Sequence, residues 1–445
     1  MSLSLFVSSI NKEITLNANK NDFSYSIEID EDTNFGLWCF CDHDGRLIRI
    51  NKFPNTPILF RRIDGEIKLY SEGVQLLMEQ GIIGTRSIEG GAEEFRDSII
   101  EREIISYFYD TINSIKKAVI NSGQSQKRWP LSFRNTGAYK ILKGRHLREK
   151  RLTNDYVDMI RIISNYSFER LDEERNIIEK LLGPRNIIPK YITDENALLL
   201  DFRMGCSRSF KQRCKFCYYD MDRTKKKMST EECIHHVREV AEFFKNSSLF
   251  AKYIFPIDGD FLNHSNKELV EICGTIMEKF PNARIACFAY ADTIRRKGVE
   301  FLRHLHEEYR IDEIMNGIET GDPETLDDVK KGLTVEEIVT ANKIIKEAGM
   351  KFQGIIQYGL PIRKGLLAVK DVVSYLKMRA QKTAELLNQI SLDNLFFSEF
   401  TVKKGIPFLE EKDEYIFLED DQKIMEYNFI IEKLDSKVRR AAETY

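Results

Sequence analysis

From about residue 195 the chain alternates between two hydrophobic periods. Short runs in which nearly every position is apolar, beginning with Ala197-Leu198-Leu199-Leu200-Asp201-Phe202, are each followed by a longer stretch with apolar residues three and four apart. Strands are predicted over 197–202, 252–258, 283–289, 314–319, 352–358 and 391–400. Helices are predicted between them over 229–244, 266–280, 293–306, 334–348 and 369–387. Ser229-Thr230-Glu231-Glu232 has the form of a capping box at the start of the first helix. Continuous apolar runs suit strands buried on both faces, and their alternation with helices predicts a parallel sheet. Six such units rather than eight predict an α/β fold, a partial (β/α)6 barrel of TIM type. Its chemistry then belongs on the loops at the C-terminal ends of the strands.

The first 185 residues carry a different pattern, and predict an N-terminal accessory α+β domain. Up to about residue 85 short β-like pieces alternate with Asn, Asp and Gly turns, and Asp44-Gly45 between two apolar runs signals a hairpin. Cys39 and Cys41 flank Phe40 near His43, which suits either a small metal site or two residues packing on one strand face. Apolar residues from Phe95 to Val119 recur at helical spacing and predict a helix over 92–120. Residues 127–151 then gather nine Lys and Arg against one Glu, interleaved with Trp129, Phe133 and Tyr139. Basic and aromatic residues so mixed make nucleic acid or another phosphate-bearing group a candidate partner, against a solvated surface loop. Residues 155–182 read as further helix, and Gly183-Pro184-Arg185 as a boundary. The expected division is an accessory domain at 1–185, the barrel core at 186–405, and a helical extension packing on that core at 406–445.

Composition narrows the class. The 445 residues are 42% hydrophobic and 31% charged, with a formal charge of −3, so there is no global attraction to nucleic acid or to a membrane surface. No apolar run approaches the roughly 20 residues that span a bilayer, and the first residues lack the pattern of a signal peptide. Eight cysteines in so long a chain do not make a disulfide framework, and the expected location is cytoplasmic.

Three of those cysteines follow the first barrel strand on one loop: Cys206, Cys214 and Cys217, spaced C-x7-C-x2-C, with Phe216 before the last. Three thiolates hold either zinc, with a fourth ligand from Cys233, His235 or His236, or an iron–sulfur cluster with one iron left open to a small molecule. Other strand ends carry polar turns of their own. Asp258-Gly259-Asp260 follows the second strand, and Glu319 closes the fourth with Lys331 twelve residues on. Gln357 precedes Gly359-Leu360-Pro361 on the fifth strand, and Gly405-Ile406-Pro407 follows the sixth. Cys273 and Cys287, inside apolar stretches, read as buried small hydrophobes.

Taken in order, these residues resemble the radical S-adenosylmethionine (radical SAM) enzymes, in the coproporphyrinogen-oxidase and elongator-like branch. The resemblance covers about residues 195–435. It departs from the family's usual C-x3-C-x2-C in its longer first gap and from a Gly-Gly-Glu turn in its Asp-Gly-Asp. It implies a [4Fe–4S] cluster on Cys206, Cys214 and Cys217, and S-adenosylmethionine bound through Phe216, Asp258, Gly259, Asp260, Glu319, Lys331 and Gln357. In that branch the Asp-Gly-Asp position contacts the methionyl amine, Glu319 the ribose and Lys331 the methionyl carboxylate, while the Gly-Leu-Pro backbone approaches the adenine. The implied activity is reductive cleavage of S-adenosylmethionine to start radical chemistry on a small or nucleotide-like substrate, with a flavodoxin or ferredoxin as electron donor. A lyase acting on a modified nucleobase such as queuine is one candidate by analogy. Zinc is expected in place of the cluster in aerobic preparations. The rival reading is a zinc-binding or cluster-less module that binds nucleic acid or another ligand on the same barrel.

Overall fold

The computed structural model describes residues 228–442 almost throughout, together with Ala197–Phe202, Cys206 and Arg213–Cys217. It also describes 160–182 and most of 2–121, and the basic stretch 127–151 lies outside the described residues. The chain divides into two compact units, one of Met1–Ile187, Asp194–Asn196 and Phe243–Ala251, the other of Ile188–Thr193, Ala197–Glu242 and Lys252–Tyr445.

In the first unit, eight strands form an antiparallel meander in sequence order. They are β1 (Ser2–Val7), β2 (Lys12–Ala18), β3 (Tyr25–Glu31), β4 (Phe35–Cys41), β5 (Leu47–Lys52), β6 (Thr56–Arg61), β7 (Ile67–Tyr70) and β8 (Glu94–Phe95). Helix α1 (Ser71–Glu79) follows β7, α2 (Ser98–Asn121) shares a core with Ile50, Leu59 and Leu69 through Ile104, Ile105, Phe108 and Ile112, and α3 (Phe168–Leu182) adds Leu171 to it. The expected helix over 92–120 begins six residues late. Glu94–Phe95 pair with β7 instead, and the Asp97 carboxylate accepts from the amides of Ile99 and Ile100, which is a helix start. The hairpin at Asp44-Gly45 joins β4 to β5, with Gly45 at φ +95°. Cys39 and Cys41 are both buried in the hydrophobic core, and burial pushes the Cys39 thiol up. They pack as strand residues.

The second unit holds a parallel sheet in the order β9–β10–β11–β12–β13–β15, from β9 (Ala197–Leu200) through β10 (Tyr253–Pro256), β11 (Arg284–Phe288), β12 (Ile311–Glu319) and β13 (Lys351–Tyr358) to β15 (Asn394–Glu399). Neighbouring strands in the sheet are consecutive βα units, and β9 and β15 are its two edges, so the barrel is open. The connecting helices are α4 (Thr230–Phe250), α5 (Asn266–Lys279), α6 (Ala291–Tyr309), the short α7 (Pro323–Asp328) with α8 (Val335–Glu347), and α9 (Val372–Gln389). The capping box at Ser229 and Glu232 is present in both directions. Helix α4 outruns its expected end through a kink at Lys245 (φ 42°). Strand β12 starts three residues before its expected first residue, because Asp312 and Glu313 are neutralised across the sheet by Arg284 and Lys351. Pro256 is the last residue of β10, where a missing amide does no harm. A two-stranded ribbon, β14 (Ile362–Arg363) with β16 (Tyr415–Ile416), and helices α10 (Asp420–Lys433) and α11 (Ser436–Ala442) complete the unit.

Candidate active site at the C-terminal ends of the strands

Parallel strands bring their C-terminal ends to one edge, so the turns singled out above share a rim. Cys206, Cys214 and Cys217 are half-buried and lie on the loop from β9. The Cys217 amide donates to the Cys214 carbonyl at 3.1 Å, a tight turn around Lys215 and Phe216. The Lys215 amide donates to the Val329 carbonyl at 2.9 Å, which ties this turn to the end of α7. Among the described residues no group of three or more His, Cys, Asp or Glu side chains stands close enough to hold a metal ion.

Beside the cysteine turn lies a buried ion pair. Lys331 Nζ donates to Glu319 Oε1 at 2.8 Å, with the two side chains 8% and 10% exposed. Burial alone would lower the Lys331 pKa, but the Glu319 carboxylate and the nearby Cys214 outweigh it and hold the ammonium well above its ordinary range. The rings of Phe216 and Tyr290 each have their centroid 5.9 Å from Lys331 Nζ, a distance suited to cation–π attraction. The Tyr290 hydroxyl donates to the carbonyls of Lys331 (2.6 Å) and Gly332 (3.0 Å), fixing the turn that carries the lysine.

Glu319 reaches this position through two irregularities. The β12–β13 register shifts between Gly317 and Glu319, so that Glu319 opposes Ile356, and Glu319 itself sits at φ +67°. A bulge re-aims a side chain at a strand end, and a non-glycine residue in the left-handed region is strain held by its surroundings. Gly317 makes room: a Cβ there would stand 2.3 Å from Glu319 Oε1 and 3.0 Å from Lys331 Nζ. Capping of the next helix falls to Asp322, whose carboxylate accepts from the Thr325 amide at 3.1 Å. Glu319 is thus not the cap.

The Asp258-Gly259-Asp260 turn has a second character. Both carboxylates are fully buried; Asp258 Oδ2 accepts from the Phe202 amide at 3.2 Å. Asp260 accepts from the Tyr290 amide at 3.1 Å and from the Thr293 hydroxyl at 2.7 Å. They stitch the ends of β9 and β11 together, and Asp260 supplies the start of α6 with an anion that its own N-cap residue, Tyr290, does not provide. The half-buried Gly259 lies between them at the rim. Gln357, on β13, has an amide oxygen that is buried and lacks a hydrogen-bond partner. A buried acceptor of that kind is costly until a donor arrives. Gly359 holds φ +80°, and its missing Cβ would meet the Lys423 side chain at 2.8 Å. Its glycine is therefore required by backbone conformation and by α10.

The residues proposed for a closed zinc site do not converge. Cys233 is fully buried on α4, His236 Nε2 accepts from the Asp201 amide at 3.2 Å, and His235 lies on an exposed face beside Glu239 at 3.4 Å. Cys273 and Cys287 are buried, and burial raises both thiols.

The residues sequence reasoning missed are Tyr290 and Lys215. Tyr290 follows β11, where a polar aromatic directly after an apolar strand was the available signal. Lys215 hides inside the cysteine motif, and nothing in its spacing announces that it is buried.

These residues suit the two groups that such a rim would hold. Soft thiolates on one loop fit an iron–sulfur cluster, and a buried cation, a carboxylate and an orphaned amide oxygen fit a ligand bearing carboxylate, hydroxyl and N–H groups. No helix among the described residues is long and apolar enough to cross a membrane. The chain is 23% identical over 218 residues to 4′-phospho-dehydrooxetanocin synthase of Priestia megaterium, covering 46% of this chain and 28% of that protein. It thus spans under a third of the length of that relative. Among solved structures, coproporphyrinogen III oxidase of Escherichia coli is similar at 15% identity and a TM-score of 0.39, over 53% of this chain and 51% of that one. The radical S-adenosylmethionine methyltransferase TsrM of Kitasatospora setae, solved with cobalamin and a [4Fe–4S] cluster bound, is similar at 15% identity and a TM-score of 0.35, over 46% of this chain and 36% of that one. The model of the radical SAM superfamily matches residues 205–362, which run from the cysteine loop through the Gly-Leu-Pro turn, so this stretch of the chain is similar to that superfamily, whose cofactors are a [4Fe–4S] cluster and S-adenosylmethionine.

Proposed function

We propose that Cys206, Cys214 and Cys217 hold the [4Fe–4S] cluster and that the chain is an enzyme cleaving S-adenosylmethionine reductively to begin radical chemistry on a small, nucleotide-like substrate. The observation that carries this reading is the buried Lys331–Glu319 pair at the strand ends, with the Phe216 ring of the cysteine turn 5.9 Å from the lysine. When bound, the cluster supplies the electron that releases methionine and a 5′-deoxyadenosyl radical from the cosubstrate.

The chain's own residues supply position and exclusion of water. Lys331 receives the methionyl carboxylate, and Glu319 accepts from the ribose hydroxyls. In the absence of the cosubstrate the two neutralise each other, so neither charge stands uncompensated in a dry site. Gly259 offers the backbone of its turn to the methionyl amine, Asp258 and Asp260 holding that turn in place. Gln357 offers its orphaned oxygen to a donor of the cosubstrate or substrate. Phe216 and Tyr290 frame the lysine.

The substrate class rests on lesser support. The basic and aromatic residues of 127–151 suit a phosphate or a base, and the Priestia megaterium relative bears a phosphorylated compound in its name. A small phosphorylated or nucleobase-bearing substrate follows, with a flavodoxin or ferredoxin as electron donor. Lyase action on a modified nucleobase is one reaction within that class. Anaerobic reconstitution with iron and sulfide, followed by reduction in the presence of S-adenosylmethionine, tests the proposal through the appearance of 5′-deoxyadenosine. A protein that takes up a full cluster and forms none, with or without candidate substrates, is not this enzyme. A protein that takes up zinc alone under those conditions is the binding module instead.

A further inference from the structure

Lys215 stands between Cys214 and Phe216, yet its side chain is only 3% exposed. Its Nζ donates to the Tyr415 hydroxyl at 2.5 Å and to Glu411 Oε2 at 2.9 Å, and lies 3.7 Å from Asp328 Oδ1. Arg363 closes the same nest, with Asp328 at 2.7 Å, the Tyr415 hydroxyl at 3.2 Å and Glu411 at 3.3 Å. Both backbone groups of Lys215 are also used: its amide donates to Val329 at 2.9 Å, and its carbonyl accepts from the Phe408 amide at 3.2 Å. The lysine is thus held by the end of α7 and by the 407–415 segment. Asp328 and Val329 lead directly into Lys330-Lys331. Phe216 packs against the cluster formed by Val329, Leu360, Phe400, Ile406 and Phe408.

We infer that Lys215 is a positioning residue: it locks the Cys214–Cys217 turn to the segment that carries Lys331, and so sets the separation between the cysteine loop and the cation that receives the methionyl carboxylate. A buried lysine is a poor choice for stability alone, because its dehydration offsets most of what its partners return. What a desolvated ammonium with two hydrogen bonds and a third, longer ion pair does provide is a fixed geometry between segments far apart in sequence. This rests on the assignment of the cluster to the three cysteines, and the test separates the two.

Lys215→Met, Tyr415→Phe and a control, Lys351→Met on the opposite edge of the sheet, are compared with the wild type. The first measurement uses the metal-free protein: iodoacetamide labelling of Cys214 and Cys217, followed by mass spectrometry. Lys215→Met is expected to label about tenfold faster or more, as a loop that has lost a restraint worth one decade in its opening equilibrium would. Tyr415→Phe moves the same way by less. Lys351→Met lowers the melting temperature without changing the labelling. The second measurement uses reconstituted protein. Lys215→Met retains iron, binds S-adenosylmethionine about tenfold more weakly, and loses the change that the cosubstrate induces in the electron paramagnetic resonance signal of the reduced cluster. Wild-type labelling rates in Lys215→Met, or wild-type cosubstrate affinity with full iron, overturn the inference. Should Lys215→Met not fold, Tyr415→Phe decides alone, faster labelling supporting the lock and an unchanged rate refuting it. A wild-type protein that takes up no iron while Lys215→Met still labels faster strikes the cluster assignment and leaves the lock standing.

Discussion

The two edges of the parallel sheet are made from the same strands and treat charge in opposite ways. At the N-terminal edge, Glu313 accepts from Lys351 at 3.0 Å, from the Tyr253 hydroxyl at 3.0 Å and from the Gln353 amide. Asp312 pairs with Arg284 at 3.0 Å and Lys351 at 3.2 Å. Glu313 stands opposite Lys351 in the β12–β13 register, and Asp312 is the extra residue of a register shift between β11 and β12. At the C-terminal edge the pairing depends on irregular backbone. Glu319 reaches Lys331 only through a bulge and a left-handed residue, and Gln357 keeps a buried oxygen without a partner. Both edges keep one buried amide oxygen without a partner, that of Gln353 and that of Gln357, but only at the C-terminal edge does the buried ion pair rest on a residue in the left-handed region. That contrast is what separates a structural polar network from a site.

The strongest way to break the contrast is to remove the thiols. Cys206→Ala, Cys214→Ala or Cys217→Ala should each abolish the broad visible absorbance of the reconstituted protein and its formation of 5′-deoxyadenosine. Cys39→Ala, Cys233→Ala, Cys273→Ala and Cys287→Ala should leave both in place, since those residues are buried packing groups. Full iron in the protein lacking all three loop cysteines would refute the assignment.

Next in size is Glu319. Its bond to a hydroxyl, with a charged acceptor, is worth roughly 1.5–3 kcal/mol, so Glu319→Ala should weaken S-adenosylmethionine binding by about ten- to a hundred-fold with iron content unchanged. The ion pair adds a second consequence, because removing one member of a buried pair costs about 3–5 kcal/mol. Glu319→Gln should lose less affinity. Adding Lys331→Met to Glu319→Ala should restore melting temperature but not affinity, and restored affinity in that double variant would sink the role given to both residues.

Much of this was legible in the sequence, for reasons that individual residues make clear. Continuous apolar runs such as Ala197–Leu200 can only be buried strands or core helix, and their length and spacing decided for strands. The start of β12 was less legible, because Asp312 and Glu313 look polar until Arg284 and Lys351 are brought across the sheet. The Glu319–Lys331 pair was half visible: both residues stood out, yet only the fold shows that they bond to each other. Asp258 and Asp260 were read as contacts for the cosubstrate, and the fold adds the bonds they accept from the amides of Phe202 and Tyr290 and from Thr293. Backbone donors leave no trace in a sequence. Lys215 was illegible for another reason, since the side chains that bond it lie about two hundred residues away.

A smaller effect sharpens the comparison from the other edge. Glu313→Gln keeps the shape of the side chain but removes the charge that answers Lys351. Lys351 is partly exposed, so water recovers some of the loss, and the expected cost is about 1–3 kcal/mol of stability. Cosubstrate affinity and iron content should not move. A tenfold loss of affinity in Glu313→Gln, with the fold intact, would mean that the two edges are coupled and the contrast between them misdrawn.

The smallest effect concerns Tyr253, whose hydroxyl donates to Glu313. Burial pushes its phenol up to about 12, with the neighbouring Glu313 charge acting in the same direction. The unfolded chain ionises this group near pH 10. Because the folded pKa is the higher, the bond's contribution is fully present below about pH 10 and is lost as pH rises towards 12. Tyr253→Phe should therefore be less stable than the wild type at neutral pH, by about 1 kcal/mol for a single hydrogen bond. The gap should close as denaturation is repeated between pH 10 and 12, because only the wild type has this proton to lose. Cosubstrate binding at neutral pH should be unaffected throughout. A gap that stays constant across that range would show that the phenol is not held protonated by the fold. A gap that widens would reverse the sign and place Tyr253 in a setting that favours its anion, which the carboxylate of Glu313 at 3.0 Å opposes.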